Sequence, residues 1–229
     1  MDDGRRPPER DRRLTARERA RVEGRFGAVL GLLFVAVFLS VAAPEGPWAV
    51  LLTTVLLAVC LAVAMRASGA RARAVRVWWG VAALGVGASV LIALTQDARV
   101  GGGYLALTSL LLTLGAIGAI VRRLRLQTEI SLLTVTGAVC VYVLLGLTLA
   151  FVSEAVGELG SRPFFASQQE GTRSDYVYFS FVTMATVGYG DLAPQGGLAR
   201  ALAVMGGLVG QIYLVTAVAA LVGNLGRRS

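Results

Sequence analysis

Six apolar runs, each at least 18 residues long, restrict what this sequence can fold into. They occupy residues 26–43, 48–65, 77–94, 104–121, 130–152 and 202–225. A helix needs about 20 residues, at a rise of about 1.5 Å each, to cross the hydrocarbon core of a bilayer. Hydrophobic residues make up 55% of the chain and charged residues 16%, whereas about 25% of a soluble domain is charged. The sequence predicts an all-α integral membrane protein with six transmembrane helices.

The arginines indicate how these helices are oriented. With residues 1–25 placed in the cytoplasm, 18 of the 22 arginines fall on the inner side of the membrane and only four fall outside. Basic residues favour the cytoplasmic side in short loops. We therefore expect a cytoplasmic Arg-rich segment at 1–25, a four-helix transmembrane bundle at 26–121 and an interfacial linker at 122–129. Both termini should be cytoplasmic, and the protein should lie in the plasma membrane.

The net charge of +8 is explained by this arrangement. Arginines on the cytoplasmic face can contact membrane lipids, including anionic ones. In a soluble protein, a basic net charge would suggest nucleic-acid binding. In a chain with membrane composition, the same charge is better explained by contacts with lipid headgroups. We expect lipid contacts and no nucleic-acid partner, and the sequence does not indicate whether a separate regulatory subunit binds.

Catalytic and metal-binding residue types are scarce in this sequence. Histidine is absent and every basic residue is arginine, so imidazole is not available for metal binding or acid–base catalysis. Cys60 and Cys140 lie within apolar runs, as is typical of buried packing residues. We expect no enzyme activity, no catalytic residues and no cofactor.

A short, moderately apolar segment lies between the last two runs. About a dozen helical residues at 175–185 reach roughly 18 Å, which is too short to cross the hydrocarbon core, so the chain must turn back within the membrane. The extended return at 186–190 leaves backbone carbonyls without partners. Such carbonyls are tolerated at membrane depth only where protein shields them or where they line a pore. Cations can satisfy them, so the segment predicts a cation pathway.

The residues of this return suit a dehydrated monovalent cation. Gly188 and Gly190 can adopt positive φ without steric cost, so alternating conformations can aim successive carbonyls in one direction. Thr186 adds a hydroxyl at the inner end of the segment. The preceding helix points its partially negative C-terminus toward the membrane centre, which also favours a cation.

The run Thr186-Val187-Gly188-Tyr189-Gly190-Asp191 closely resembles the filter signature of the potassium-channel superfamily. The resemblance extends over an outer helix, a pore helix at 175–185, a filter at 186–190 and an inner helix at 200–225, within a pore domain at 130–229. It implies that K⁺ ions in the filter replace their water shell with backbone carbonyls and the Thr hydroxyl. The implied ligands are Thr186, Val187, Gly188 and Tyr189.

The same resemblance assigns supporting roles to residues around the filter. Gly190 completes it, Asp191 matches an acid at the outer mouth, and Tyr178 and Phe179 take positions often held by aromatic residues that brace it. Ala185 departs from the common Thr before the filter, which affects the polarity of the inner vestibule. One filter strand cannot enclose an ion, and the resemblance implies four copies around one axis, hence a homotetramer.

Three residues of the inner helix are gating candidates. Gly210 aligns with a hinge glycine of the family, although its spacing from Gly206 also fits close helix packing. Val218 and Ala219 lie near the inner end, where a hydrophobic gate is possible. Gln211 fits either a wet cavity or a hydrogen bond to another helix.

The fourth apolar run, 104–121, carries no charge, whereas steep voltage gating needs several charges per subunit. The predicted function is therefore a K⁺-selective, voltage-independent channel. One alternative is a pore-loop K⁺ transporter subunit, although such chains contain four loops. Another is a membrane sensor whose four-helix bundle gates the pore.

Overall fold

The computed structural model describes residues 16–42, 47–67, 72–95, 98–125, 132–167 and 171–225. Helices account for nearly all of these residues, which confirms the predicted all-α class. In chain order, the described helices are α1 (Ala16–Ala42), α2 (Pro47–Ala67), α3 (Ala72–Thr95), α4 (Ala98–Leu124), α5 (Leu132–Leu159), α6 (Arg173–Met184) and α7 (Gly197–Leu225).

Parts of all four predicted segments lie outside the described residues. These parts are residues 1–15 of the N-terminal segment, residues 43–46, 68–71 and 96–97 of the four-helix bundle, residues 126–129 of the linker, and residues 130–131, 168–170 and 226–229 of the pore domain. The described remainder of the N-terminal segment, from Ala16, is helical and continuous with the first apolar run.

Three described helical stretches have the length and hydropathy of a membrane span. They are Val100–Leu124, Thr134–Leu159 and Gly197–Ala220. Three shorter apolar stretches lie at Phe26–Ala42, Leu52–Arg66 and Val75–Gly87. The chain is therefore a membrane protein, and the full count of six spans remains a prediction.

The helices pack in a continuous chain of neighbours. Helix α4 lies along α3 and α5, and α2 contacts α1, α3 and α4. The short α6 packs between α5 and α7 and also contacts α1. The first four helices thus contact both the long α5 and the short α6 of the same chain.

One large core cluster joins the four-helix bundle to α5. It includes Phe26 of α1, Leu61 of α2, Leu112 of α4 and Phe151 of α5, each at most 2% exposed. Buried hydroxyls within these helices bond to carbonyls of their own helix, as Ser40 does with Ala36 and Ser109 with Leu105. Such bonds satisfy polar groups that would otherwise be costly in an apolar interior.

Helix boundaries near the predicted filter differ from the sequence prediction by one to three residues. Helix α6 begins at Arg173 rather than 175, because Thr172 caps its N-terminus, and it ends at Met184 with Ala185 as the C-cap. Helix α7 begins at Gly197 rather than 200. Its first turn is closed by a hydrogen bond from the Arg200 amide to the Gly196 carbonyl at 3.1 Å.

A second, smaller core lies where the loop after α5 meets α6. Phe164, Phe165, Tyr176 and Phe179 are each at most 4% exposed, and their rings meet at centroid distances of 5.0 to 5.7 Å. Gly157 of α5 faces this cluster, and a Cβ atom there would overlap the Tyr176 hydroxyl. Any residue other than glycine at position 157 would therefore require Tyr176 to move.

Gly157→Ala should destabilise the protein by about 1–3 kcal/mol, because an added methyl group overfills a packed core. The measurement is the thermal unfolding midpoint of the detergent-solubilised protein. Gly31→Ala is the matched control, since a Cβ atom at Gly31 meets nothing within 4 Å. Adding Tyr176→Phe to Gly157→Ala should recover part of the loss, and equal midpoints for the two glycine variants would contradict the packing argument.

Candidate functional site

The N-terminus of α6 is fixed by a reciprocal capping box. The Asp175 amide donates to the Thr172 hydroxyl at 3.3 Å, and the Thr172 amide donates to the Asp175 carboxylate at 2.9 Å. The Thr-x-x-Asp spacing that makes this possible is visible in the sequence. A carboxylate in the first turn also complements the positive end of the helix dipole.

The C-terminus of α6 ends in a Schellman motif. The Thr186 amide donates to the Thr183 carbonyl and the Val187 amide to the Val182 carbonyl, both at 3.0 Å. This motif requires a left-handed residue after the C-cap, usually glycine. Here Thr186 takes that conformation, with φ 57°, so the chain leaves the helix in a conformation that is unusual for a β-branched residue.

Left-handed residues then recur at every second position. Gly188 has φ 56° and Gly190 has φ 83°, which confirms the positive φ predicted for both glycines. The left-handed conformation of Thr186 was not predicted, because it depends on the helix cap rather than on residue type. Within the described residues, no backbone hydrogen bond has a carbonyl of residues 186–190 as its acceptor. These carbonyls remain available to bind another group.

Aromatic and acidic side chains surround the extended segment. The rings of Tyr178 and Tyr189 stack with centroids 6.4 Å apart and planes 6° from parallel. The Tyr178 hydroxyl also lies within hydrogen-bonding reach of the Asp191 carboxylate. Tyr178 thereby links α6 to both the middle and the outer end of the segment.

Phe179 lies elsewhere, although the sequence grouped it with Tyr178. Its ring packs on Phe164 and Phe165 at 5.7 and 5.5 Å, and it is 4% exposed. Adjacent residues of a helix point about 100° apart, so Tyr178 can face the segment while Phe179 faces the loop. Within this chain Phe179 anchors the connection between α5 and α6, at 160–172, which is called the outer loop below.

The outer loop also holds the chain that follows the extended segment. The Ala166 amide donates to the Ala193 carbonyl at 2.8 Å, and the Gln195 amide donates to the Phe164 carbonyl at 2.7 Å. These two bonds form an isolated antiparallel bridge between Phe165 and Pro194. The segment is thus attached to α6 at its inner end and to the outer loop just beyond its outer end.

Helix α7 approaches the inner end of this segment closely. A Cβ atom at Gly210 would lie 2.8 Å from the backbone carbonyl oxygen of Met184, which is too short for a real contact. Glycine is therefore needed here for packing, one of the two roles considered for Gly210, and the hinge remains a prediction.

The other inner-helix candidates have different surroundings. The Gln211 amide nitrogen donates to the Thr186 hydroxyl at 3.4 Å, so its partner lies in the extended segment and not in another helix. Val218 and Ala219 are exposed on α7, as a residue facing a cavity or another chain would be.

A single chain leaves the extended segment and α7 largely uncovered. Val187 is 51% exposed and Tyr189 is 71% exposed. In the apolar part of α7 only 11% of the residues are buried. Apolar surface of this extent is typical of a face covered by lipid or by other protein chains.

Sequence reasoning missed one group of buried polar residues at the start of α6. Arg173 binds Glu154 of α5 and reaches Thr53 and Thr54 of α2. The available signal was a lone acid near the end of a long apolar run and a lone arginine beside the capping box. Glu154 is 19 positions from Arg173 in the sequence and Thr53 is 120 positions away. No sequence pattern predicts contacts between residues at these separations.

Residues 130–227 match the protein family described as "Ion channel". The matched part contains α5, the outer loop, α6, the extended segment and α7, which is the frame expected from the filter motif. This part of the chain is therefore an ion-channel domain. No curated protein matches the chain.

Gly210→Ala should destabilise the contact between α7 and the end of α6, because the new methyl group meets a backbone carbonyl that cannot rotate away. A loss of about 1–3 kcal/mol is expected for such overpacking, measured as a lower thermal unfolding midpoint. Gly207→Ala is the control one turn earlier on α7, since a Cβ atom there lies 3.8 Å from the Thr183 carbonyl. If Gly210→Ala is as stable as Gly207→Ala, the packing role is wrong.

Proposed function

We propose that this protein is a K⁺-selective channel that conducts passively through a homotetrameric pore. The observation that carries the proposal is the alternation of left-handed residues at 186, 188 and 190 within the sequence Thr-Val-Gly-Tyr-Gly-Asp. Reversal of φ at every second residue lets consecutive carbonyls point to one side, where they can surround an ion.

In this proposal the ion ligands are the carbonyls of Thr186, Val187, Gly188 and Tyr189, together with the Thr186 hydroxyl. They replace the water shell of K⁺, and conduction proceeds by knock-on between adjacent sites. Gly190 and Asp191 complete the outer end, and the Tyr178–Asp191 and Tyr178–Tyr189 contacts support this role because they brace the segment laterally.

Four copies are proposed because one strand cannot form a ring of ligands. The exposure of Val187, Tyr189 and the apolar face of α7 supports association with other copies. Leu208, Ile212 and Val215 on that helix are between 52% and 68% exposed. Four such helices around an axis would cover part of this surface and place four filter strands together.

The membrane arrangement is part of the same proposal. We infer six spans, with α6 re-entrant, in the plasma membrane, cytoplasmic N- and C-termini and arginines against anionic lipid. The apolar lengths of the helices and the distribution of arginines support this orientation.

K⁺ flux from liposomes containing the purified protein should exceed Na⁺ flux, as expected for carbonyls that replace the water shell of K⁺. Gly188→Asp should abolish the flux, because Gly188 has φ 56° and an added side chain is strained in that conformation. Helical content measured by circular dichroism should stay unchanged.

The matched control is Gly197→Asp, which makes the same chemical change outside the proposed filter, at the first residue of α7. A Cβ atom at Gly197 meets nothing within 4 Å, and an acid suits the first turn of a helix, so flux should persist. Equal K⁺ and Na⁺ permeability in the unmodified protein would refute the proposed selectivity.

Conductance should depend weakly on voltage. Helix α4 carries no charge between Tyr104 and Val121, and its last-turn arginines Arg122 and Arg123 occupy the place of positive-inside anchors. Moving one charge through 100 mV corresponds to about 2.3 kcal/mol, so steep gating needs several charges per subunit. Recordings in planar bilayers that yield several gating charges per channel would contradict this prediction.

A further inference from the structure

The first residue of α6, Arg173, occupies a position that helix formation does not explain. A positive charge at a helix N-terminus is opposed by the helix dipole. The side chain is also buried, with 8% of the residue exposed, and burial of a guanidinium is costly unless it is paired and hydrogen-bonded. Its contacts must therefore account for its position.

Those contacts join three helices. The Arg173 Nε donates to both carboxylate oxygens of Glu154 on α5, at 2.9 and 3.1 Å. Its Nη1 donates to the hydroxyls of Thr54 and Thr53 on α2, at 3.2 and 3.4 Å. The guanidinium carbon also lies 5.1 Å from the ring centre of Phe151, a cation–π distance.

The same end of α6 is connected to the remaining helices near it. The Thr54 hydroxyl forms a hydrogen bond with Ser109 of α4 at 3.2 Å. The Ser174 hydroxyl donates to the Val41 carbonyl of α1 at 3.2 Å. Polar contacts at the start of α6 thus reach α1, α2, α4 and α5, although the proposed filter lies at the opposite end of this helix.

We propose that Arg173 is a positioning residue, which fixes α6 against α2 and α5 and makes the filter depend on the arrangement of the first four helices. The inference rests on the proposed K⁺ channel function. Helix α6 has 12 residues, about 18 Å of rigid rod, and its C-terminal Schellman motif contains Thr186. Displacement of the Arg173 end therefore moves the first filter residue with it.

If the ion pair only stabilised the fold, any variant that folds stably without it would keep the filter function. Replacing both members of a buried pair with apolar residues of similar volume is often neutral or stabilising, whereas removing one member leaves an uncompensated charge. The double variant Glu154→Leu with Arg173→Met should therefore fold. It loses the directional contacts that set the position of α6, so stability and filter function can be separated.

The second test acts from α2, which the proposal places outside the pore. Thr53→Val with Thr54→Val removes both hydroxyls and keeps the side-chain shape and the ion pair. Thr108→Val is the matched control, because Thr108 is also buried, with 6% exposed, and its hydroxyl bonds within α4 to the Tyr104 carbonyl.

Each variant is reconstituted in liposomes, and its K⁺/Na⁺ permeability ratio and thermal midpoint are measured. The ion-pair variant should keep the midpoint of the unmodified protein, whereas the threonine variant should lower it, because it removes two hydrogen bonds to a buried guanidinium. Both double variants should lower the permeability ratio by about tenfold, a typical size for coupling between sites. Thr108→Val should keep both values.

A Thr53→Val/Thr54→Val variant with an unchanged permeability ratio overturns the proposal, whether or not the ion-pair variant folds. An equally large decrease of the permeability ratio in Thr108→Val also overturns it, because the loss of any buried hydroxyl in the bundle would then lower the ratio. Failure of the underlying channel function is a separate result, because it shows in the unmodified protein as a lack of K⁺ preference.

Discussion

The carbonyl groups of residues 186–190 impose the constraint on which the rest of this structure depends. They have no partner within the described backbone, yet they lie in a chain in which three described helical stretches have the length and hydropathy of membrane spans. Unpaired backbone groups in hydrocarbon cost several kcal/mol each. The surrounding elements serve to hold these groups in one conformation: a capped short helix before them, a bridge to the outer loop after them, and an inner helix against their base. Because Gly210 has no side chain, α7 can pack directly against the backbone of Met184.

The sequence predicted those features that depend on residue type and local spacing. The helices were predicted from the lengths of the apolar runs, and positive φ at positions 188 and 190 was predicted because both residues are glycine. The start of α6 was missed by two residues because the capping box lies before the apolar pattern. Thr186 was missed because its left-handed φ follows from the Schellman hydrogen bonds, not from its own preference. The Arg173–Glu154 pair was missed because only packing brings α5 and α6 together.

The contact between the bundle and the short helix changes how the first four helices are understood. Their apolar faces alone would explain insertion in a membrane and association with α5. The hydroxyls of Thr53, Thr54 and Ser109 add directional bonds, which depend on distance and angle in a way that apolar packing does not. A small rotation of α2 would break these bonds while leaving most of the buried apolar area intact. The bundle is thus connected to α6 by contacts that are sensitive to geometry, in addition to the packing of α1 on α6.

The attachment of the extended segment at both ends restricts the motions open to it. Its inner end is part of the Schellman motif at Thr186 and Val187, and the chain beyond its outer end is hydrogen-bonded through Ala193 and Gln195 to the loop. A strand held at two points cannot slide along its own axis or swing as a flap. Rotation of individual peptide planes between Val187 and Leu192 is the remaining freedom, and it changes a carbonyl's direction with little displacement of the Cα atoms. In the proposed filter, a single ion ligand can therefore be lost without any change in the width of the helical frame.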